Sequence, residues 1–370
     1  MRVLILTCNT GEGHNSAARA IKEVFDEHNI YCETADSLAF LSKKASTFIS
    51  KWHVRLYKKA PVIFGLGYKA AEYTDSRHMR SMLYDIICKG ARKLISKVEK
   101  DNFDTVICTH PFSATTLTRA VKKYGLKLDK TYFVATDYTC SPGVGSGSLD
   151  YYIIPHSSLA DDFISHGIPA EKLFPAGIPV SQRVHTPLNK EESKKELSIP
   201  PNKRVILLMC GSMGCGPMKL IARKLSHILK DDEYLVVICG SNHRLYQKLR
   251  ELEDPGSVRI LGFTRNVPLY MNSAELLLSK PGGLSTTEAA ENHLPMILID
   301  AVAGCETHNM NFWVNNEMAQ TRDTTDELCT LVRNLMDNPH ELSRMSQNLS
   351  DGFAGSAAER IFSFIQENQC

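Results

Sequence analysis

Apolar residues fall along this chain in short, unbroken runs. One series covers residues 3–8, 105–109, 132–136 and 151–154; a second covers 205–210, 235–239, 258–261, 276–279 and 296–299. Runs that do not alternate with polar residues suit parallel strands buried on both faces. Between them the apolar period lengthens to that of a helix, over 16–26, 80–100, 219–229, 243–252, 286–292 and 327–336. Strand alternating with helix predicts an α/β protein built on parallel sheets.

The alternation breaks once. Residues 177–203 carry Pro179, Pro187, Pro200 and Pro201 beside a charged stretch at 190–196, which suits a linker and a lead-in helix. Two domains are expected, 1–184 and 185–355, each Rossmann-like and facing the other across a cleft. A last helical pattern in the 356–370 segment follows Gly352, Gly355 and Ser356, and is expected to cross back to the first domain.

The length, 370 residues, fits two domains, and 43% hydrophobic with 23% charged residues excludes wholesale disorder. No apolar run is long enough to span a bilayer. Residues 1–8 meet Asn9 and Thr10 too soon for a signal-peptide core, and a first strand is expected there. Eleven scattered cysteines without a Cys-x-x-Cys pair point to core thiols in a reducing compartment, with no structural metal. The formal net charge is only +2, yet residues 41–100 hold 14 Lys+Arg against 4 Asp+Glu. A near-neutral chain therefore contains one strongly basic segment in an acidic remainder.

Ligands of open α/β sheets bind beyond the carboxyl ends of strands. After the first strand come Gly11, Gly13, His14 and Asn15: glycines admit a close ligand, a helix start favours an anion, and histidine is a common base. This is neither a dinucleotide fingerprint nor a P-loop. Capping remains the alternative for His14. Thr109-His110-Pro111 and Thr136-Asp137-Tyr138 end two further strands. Asp137 is either an orienting carboxylate or a turn cap. In the second half, Gly211-Ser212-Met213-Gly214 is expected to lead directly into a helix as a phosphate cradle. Lys280-Pro281-Gly282-Gly283-Leu284-Ser285 follows another strand. Glu288 lies where a carboxylate accepts both ribose hydroxyls, although Ser285 and Glu288 also fit a capping box.

Taken in order, these segments resemble glycosyltransferase family 28, the group of monogalactosyl- and glucosyl-diacylglycerol synthases. The resemblance rests on Gly11-Glu12-Gly13-His14-Asn15-Ser16-Ala17, Thr109-His110-Pro111, Thr136-Asp137-Tyr138, Gly177-Ile178-Pro179-Val180, Gly262-Phe263-Thr264-Arg265-Asn266 and the complete Lys280–Glu288 segment. It implies a GT-B fold, an acceptor on the N-terminal domain near Asn15, His110 and Pro111, and a UDP-sugar on the C-terminal domain. Glu288 would hold ribose. The Gly211, Ser212, Met213, Gly214 loop and the Pro281, Gly282, Gly283, Leu284, Ser285 loop would hold the diphosphate. Gly13 joins the donor set, and backbone near Phe263 would read uracil. No bound metal or cofactor is implied. Two departures stand out: Cys305 replaces the family's usual glutamine beside Glu306 near the sugar, and a small, flexible-looking stretch, Ser141 to Ser148, follows Tyr138.

The basic segment interleaves Lys43, Lys44, Lys51, Arg55, Lys58 and Lys59 with Trp52 and Phe64, a pattern expected to dock peripherally on the cytoplasmic face of an anionic membrane rather than on nucleic acid. The alternative is a solvated helix pair with a core-facing aromatic stripe. The expected activity is inverting transfer of galactose or glucose from a UDP-hexose to a lipid hydroxyl, that of diacylglycerol. His14 would be the base, with Asp137 as orienter or alternative base. A nucleotide-sugar epimerase, a transferase using an undecaprenyl-linked acceptor and a non-catalytic UDP-sugar sensor are the rivals.

Overall fold

The computed structural model describes residues 1–76, 82–184, 188–353 and 355–369. The chain divides into two compact units: Met1–Ser181 with Val302–His308 and Ser356–Cys370, and Gln182–Ala301 with Asn309–Gly355. Val302–His308, expected in the second domain, thus packs with the first.

The first unit holds strands β1 (Arg2–Thr7), β2 (Tyr31–Asp36), β3 (Thr105–Cys108), β4 (Lys130–Val134), β5 (Tyr151–Ile154) and β6 (Leu173–Pro175). They form one parallel sheet in the order β2-β1-β3-β4-β5-β6. Its helices are α1 (Glu12–Glu27), α2 (Lys43–Lys59), α3 (Pro61–Ser76), α4 (Met82–Ile87), α5 (Ala91–Lys100), α6 (Pro111–Tyr124) and α7 (Ala160–Ser165). Strand β1 explains why its sequence does not alternate. Val3 and Ile5 pack on one face with Ile21, Val24 and Phe25 of α1, while Leu4 and Leu6 pack on the other with Leu94 of α5 and Leu117 of α6.

The second unit holds α8 (Lys190–Glu196), β7 (Arg204–Met209), α9 (Met218–Ile228), β8 (Glu233–Ile238), α10 (His243–Leu249), β9 (Val258–Leu261), α11 (Val267–Ser273), β10 (Ala274–Ser279), α12 (Gly283–Glu291), β11 (Met296–Leu298), β12 (Ala319–Thr321), α14 (Thr325–Met336) and α15 (Pro339–Gly352); α13 (Cys305–Asn315) begins in the first unit's Val302–His308 segment. Its sheet runs β12-β11-β10-β7-β8-β9, again all parallel. The lead-in helix α8 starts at a full capping box, with Asn189 and Glu192 bonding each other's backbone.

The closing helix α16 (Ala357–Glu367) covers one face of the first sheet. Its Ile361, Phe362 and Ile365 join the α1 cluster, and the Phe25 and Phe362 rings meet edge-on at 5.0 Å.

Three strands escape the apolar pattern: β2, β6 and β12. All three are sheet edges. An edge strand has a partner on one side only, and Tyr31–Asp36 (YCETAD) is correspondingly polar. The pattern at 80–100 is also not one helix; α4 ends at Ile87, a short 3₁₀ turn (Cys88–Gly90) follows, and α5 starts at Ala91. A Cβ on Gly90 would lie 3.1 Å from the Leu41 amide, so the break lets the chain pass close to its neighbour. The start of that pattern, Arg80, lies outside the described residues.

The stretch after Tyr138, expected to be flexible, is tightly packed. A Cβ on Gly145 would sit 2.1 Å from the His166 carbonyl, and one on Gly143 would sit 2.5 Å from the Tyr84 ring. Its glycines serve close approach rather than mobility.

Candidate active site

Each sheet has one point where the strand order reverses. In the first it lies between β1 and β3, in the second between β7 and β10. Crevices at such points are where open α/β sheets take ligands. The loops leaving these four strands carry His14, His110, Gly211 and Gly282.

In the first unit, α1 starts at Glu12 after Gly11, which has extended backbone and no side-chain cap. His14 is therefore in the first turn, and it is not the capping residue. Its Nδ1 lies 2.9 Å from the Thr109 carbonyl and 2.7 Å from the Thr136 hydroxyl. A carbonyl only accepts, so a hydrogen on Nδ1 satisfies Thr109 and puts the ring's lone pair on Nε2, while the Thr136 hydroxyl suits either tautomer. Thr109 and Thr136 hold the His14 ring, an orienting role the sequence suggested for Asp137; they belong to the Thr-His-Pro and Thr-Asp-Tyr segments, which is the signal that marks them.

His110 sits 4.4 Å from the His14 ring, centroid to centroid. It caps α6, its Nδ1 accepting from the Phe112 amide at 3.0 Å, so its Nε2–H donates to Thr10 Oγ1 at 3.0 Å. Both nitrogens serve structure. Pro111 occupies the first turn of α6, where its missing N–H costs nothing. Asn15 accepts from the Thr7 hydroxyl and donates to Asn9, which fixes the loop between β1 and α1. Gly13 has no atom within 4 Å of where a Cβ would be, so it leaves open space beside His14.

Asp137 is half-buried, and its charge bears on Tyr68 and Cys305. Burial, and then Asp137 and Glu306, push the Cys305 thiol well above its ordinary value, so it stays neutral. Glu306 is buried and accepts from the Val302 amide at 2.7 Å.

In the second unit, α12 is capped by Gly282, with no side-chain cap. This excludes the capping box between Ser285 and Glu288, which occupy the third and sixth helical positions. Thr286 and Thr287 turn their hydroxyls back to the Gly282 and Gly283 carbonyls. The amides of Gly283, Leu284 and Ser285 are those a helix start leaves without an intrahelical acceptor, which makes an anion site. Buried Asn309 donates to the Pro281 carbonyl at 3.0 Å and steadies the turn; buried Lys280 lies 3.5 Å from Asp300. Neither residue stood out as functional in the sequence. Glu288, half-buried on α12, has its pKa raised to about 7 by desolvation and by the charge of Glu291.

The Gly211 to Gly214 loop does not run directly into a helix, since α9 begins only at Met218. It is instead laced to the loop after β8. Ser241 N donates to the Ser212 carbonyl at 2.8 Å, and Asn242 Nδ2 donates to the Gly214 carbonyl at 2.8 Å. Gly211 and Gly214 both have positive φ, and a Cβ on Gly214 would lie 2.2 Å from the Cys239 carbonyl. Met213 lies inside this fixed turn. Phe263, just beyond β9, exposes 70% of its surface.

The basic segment forms the consecutive helices α2 and α3. Lys44, Phe48, Lys51, Trp52 and Arg55 are all exposed and recur at helical spacing on one face of α2. Val62, Ile63, Leu66 and Tyr73 are exposed along α3. Of the aromatic stripe, Phe48 and Trp52 face outward, while Tyr68 is half-buried. Phe64, expected at this surface, is half-buried. The side chains of Lys43, Lys58 and Lys59 lie outside the described residues. Among the described residues no helix is long and apolar enough to cross a membrane, and no group of three or more His, Cys, Asp or Glu is placed to hold a metal ion.

Residues 14–180 match the family model for monogalactosyldiacylglycerol (MGDG) synthase, and residues 205–361 match that for the glycosyltransferase family 28 C-terminal domain. The processive diacylglycerol beta-glucosyltransferase of Staphylococcus epidermidis is 25% identical over 366 residues, covering 97% of this chain and 91% of that protein. The protein of the same name from Bacillus subtilis is 26% identical, covering 98% and 94%. Among solved structures, Acinetobacter baumannii MurG aligns with a TM-score of 0.65 at 15% identity, covering 99% of each chain. The Neisseria meningitidis UDP-GlcNAc 2-epimerase bound to UDP-GlcNAc aligns with a TM-score of 0.62 at 13% identity, covering 99% and 100%. At those identities the structures speak for the GT-B-type fold alone.

Proposed function

The chain belongs to the glycosyltransferase family 28 and MGDG synthase group, and from that premise we propose that it transfers glucose from UDP-glucose to the free hydroxyl of diacylglycerol, with inversion, at an anionic membrane surface. That it is a UDP-sugar-dependent glycosyltransferase follows from the family. The sugar, the acceptor and the stereochemistry are the proposal. The name shared by the Staphylococcus and Bacillus relatives, a diacylglycerol beta-glucosyltransferase, supports glucose. A β product from an α-linked nucleotide sugar requires one inverting displacement.

The observation that carries the mechanism is the contact of His14 Nδ1 with the Thr109 carbonyl, 2.9 Å away. With Nδ1–H held by the Thr109 carbonyl, Nε2 is the proton acceptor. The acceptor oxygen attacks the anomeric carbon, its proton passes to His14 Nε2, and the bond to the β-phosphate oxygen breaks. UDP leaves with its charge spread over the amides of Gly283, Leu284 and Ser285 and the positive end of α12. Glu288 accepts from the ribose hydroxyls, and the backbone beside Phe263 reads uracil. Cys305, a neutral thiol, faces the sugar less selectively than an amide would.

The surface that supports lipid docking is the outer face of α2 and α3. Lys44, Lys51 and Arg55 match an anionic leaflet, and Phe48, Trp52, Val62, Ile63 and Leu66 match its interfacial layer. An epimerase acting on a soluble nucleotide has no use for that surface. One assay tests the reading: UDP-Glc, UDP-Gal and UDP-GlcNAc are each offered with diacylglycerol in anionic vesicles, and the product is identified by mass and linkage. A β-glucosyl lipid is expected. Epimerised UDP-GlcNAc formed without lipid would overturn it.

A further inference from the structure

Helix α3 has a second face. Opposite the exposed Val62, Ile63 and Leu66 stand Gly65, Tyr68 and Glu72, spaced to share one stripe. This stripe holds Val302–His308, the segment that bears Cys305 and Glu306 and belongs to the same compact unit. The fit is close at three successive points. A Cβ on Gly65 would lie 2.6 Å from the Ala303 Cβ. A Cβ on Gly304 would lie 2.8 Å from the Tyr68 ring, and Gly304 has φ +117°, where other residues are strained. His308 Nε2 and Glu72 Oε1 are 2.9 Å apart.

We propose that Gly65, Tyr68 and Glu72 are positioning residues that tie the turn bearing Cys305 and Glu306 to the lipid-facing helix, so that contact with a lipid surface sets the shape of that turn. The proposal rests on the docking and sugar-side roles given above. Its physical basis is the absence of slack. Close-packed contacts transmit a displacement rather than absorb it. When the outer face of α3 beds into the interfacial layer, the helix settles, and the turn interlocked with it follows. Turnover on vesicles then depends on contacts that touch neither lipid nor nucleotide.

Gly65→Ala isolates this coupling. Alanine favours the helix, the outer face is unchanged, and the added methyl meets the Ala303 methyl. Four quantities are measured for wild type, Gly65→Ala and the Gly65→Ala/Ala303→Gly double variant. They are co-sedimentation with anionic phosphatidylglycerol vesicles, UDP affinity, kcat on those vesicles, and the rate at which maleimide labels Cys305, read by peptide mass spectrometry with Cys215 of the second unit as internal control. The wild type is expected to change its Cys305 labelling severalfold on vesicles, with Cys215 constant. Gly65→Ala is expected to bind vesicles and UDP normally, to lose that change, and to lower kcat at least roughly tenfold through a misplaced turn. The double variant, with the methyl removed from the other side, is expected to recover both. Normal vesicle binding with unchanged Cys305 labelling would overturn the coupling and leave the docking surface standing. A double variant no better than the single one would also overturn it. Failure of the wild type to bind vesicles would instead remove the docking reading, and the coupling with it.

Discussion

A neutral imidazole has one lone pair, and a hydrogen bond from His14 Nδ1 to the Thr109 carbonyl puts it on Nε2 in the proposed mechanism. The neighbouring His110 shows the contrast, since the Phe112 amide claims its Nδ1 and the Thr10 hydroxyl its Nε2. His14→Ala is expected to retain UDP binding and to lose roughly 10²–10⁴ in turnover, the range for a general base; single-turnover kinetics with a UDP titration check both halves. Glu288 supplies a pH dependence. Its pKa in the free protein stands at about 7, raised by desolvation and Glu291. In the proposed donor site the ribose hydroxyls donate to the ionised carboxylate, so donor and proton would compete. Donor affinity is expected to be full above that pKa and to fall as pH drops through it, with a limiting slope of about tenfold per pH unit. Calorimetric titration of UDP between pH 5.5 and 8.5 measures this, and Glu288→Gln is expected to flatten the profile. The histidine and the glutamate were both visible in the sequence as residues beside glycines at strand ends. The missing capping box was not, because it depends on where a helix begins to the residue, and the partners of His14 Nδ1 were not, because Thr109 and Thr136 come from far along the chain.

At the scale of elements, the buried strands announced themselves and the edge strands did not. Apolar runs exist because a central strand is covered on both faces; β2 lies at the rim of its sheet and reads as polar. Helices α2 and α3 show the reverse case. Their apolar residues are at helical spacing, yet Trp52, Val62, Ile63 and Leu66 face outward. Periodicity reports that a face exists, not what covers it. Replacing Lys44, Lys51 and Arg55 together by glutamine is expected to cost about 3 kcal/mol of vesicle binding, at roughly 1 kcal/mol for each charge near an anionic leaflet. That is a drop of about 10²-fold in partition coefficient. Co-sedimentation at rising salt checks it; wild-type binding is expected to weaken with salt and the triple variant to respond less.

At the scale of the whole molecule, the last helix finishes the first unit, not the second. Phe362 of α16 is buried against Phe25 and stacks on His28 at 4.1 Å. Phe362→Ala is expected to cost about 3–5 kcal/mol, as for a large buried ring. Because the loss falls in the first unit, UDP should still protect the second. Calorimetry is expected to show one transition lowered and the UDP-sensitive one unmoved. The charge asymmetry also has a place in the fold: the basic stretch is α2 to α5 of the first unit, and the glycine-bearing loops after β7 and β10 belong to the second.

The amino-acid order alone determined the α/β class, the two sheets, the lead-in helix α8 and the glycine-bearing loops at the strand ends. These depend on local periodicity and on glycines next to strand ends. Tertiary structure alone decided that both sheets reverse strand order where those loops fall, since reversal is a property of strand pairing between distant segments. It also decided that Val302–His308 and α16 belong to the first unit, that the glycines after Tyr138 are packed tight, and that Thr109 and Thr136 meet Nδ1 of His14. Each of these depends on atoms brought together from positions far apart in the chain, a relation that no local pattern encodes.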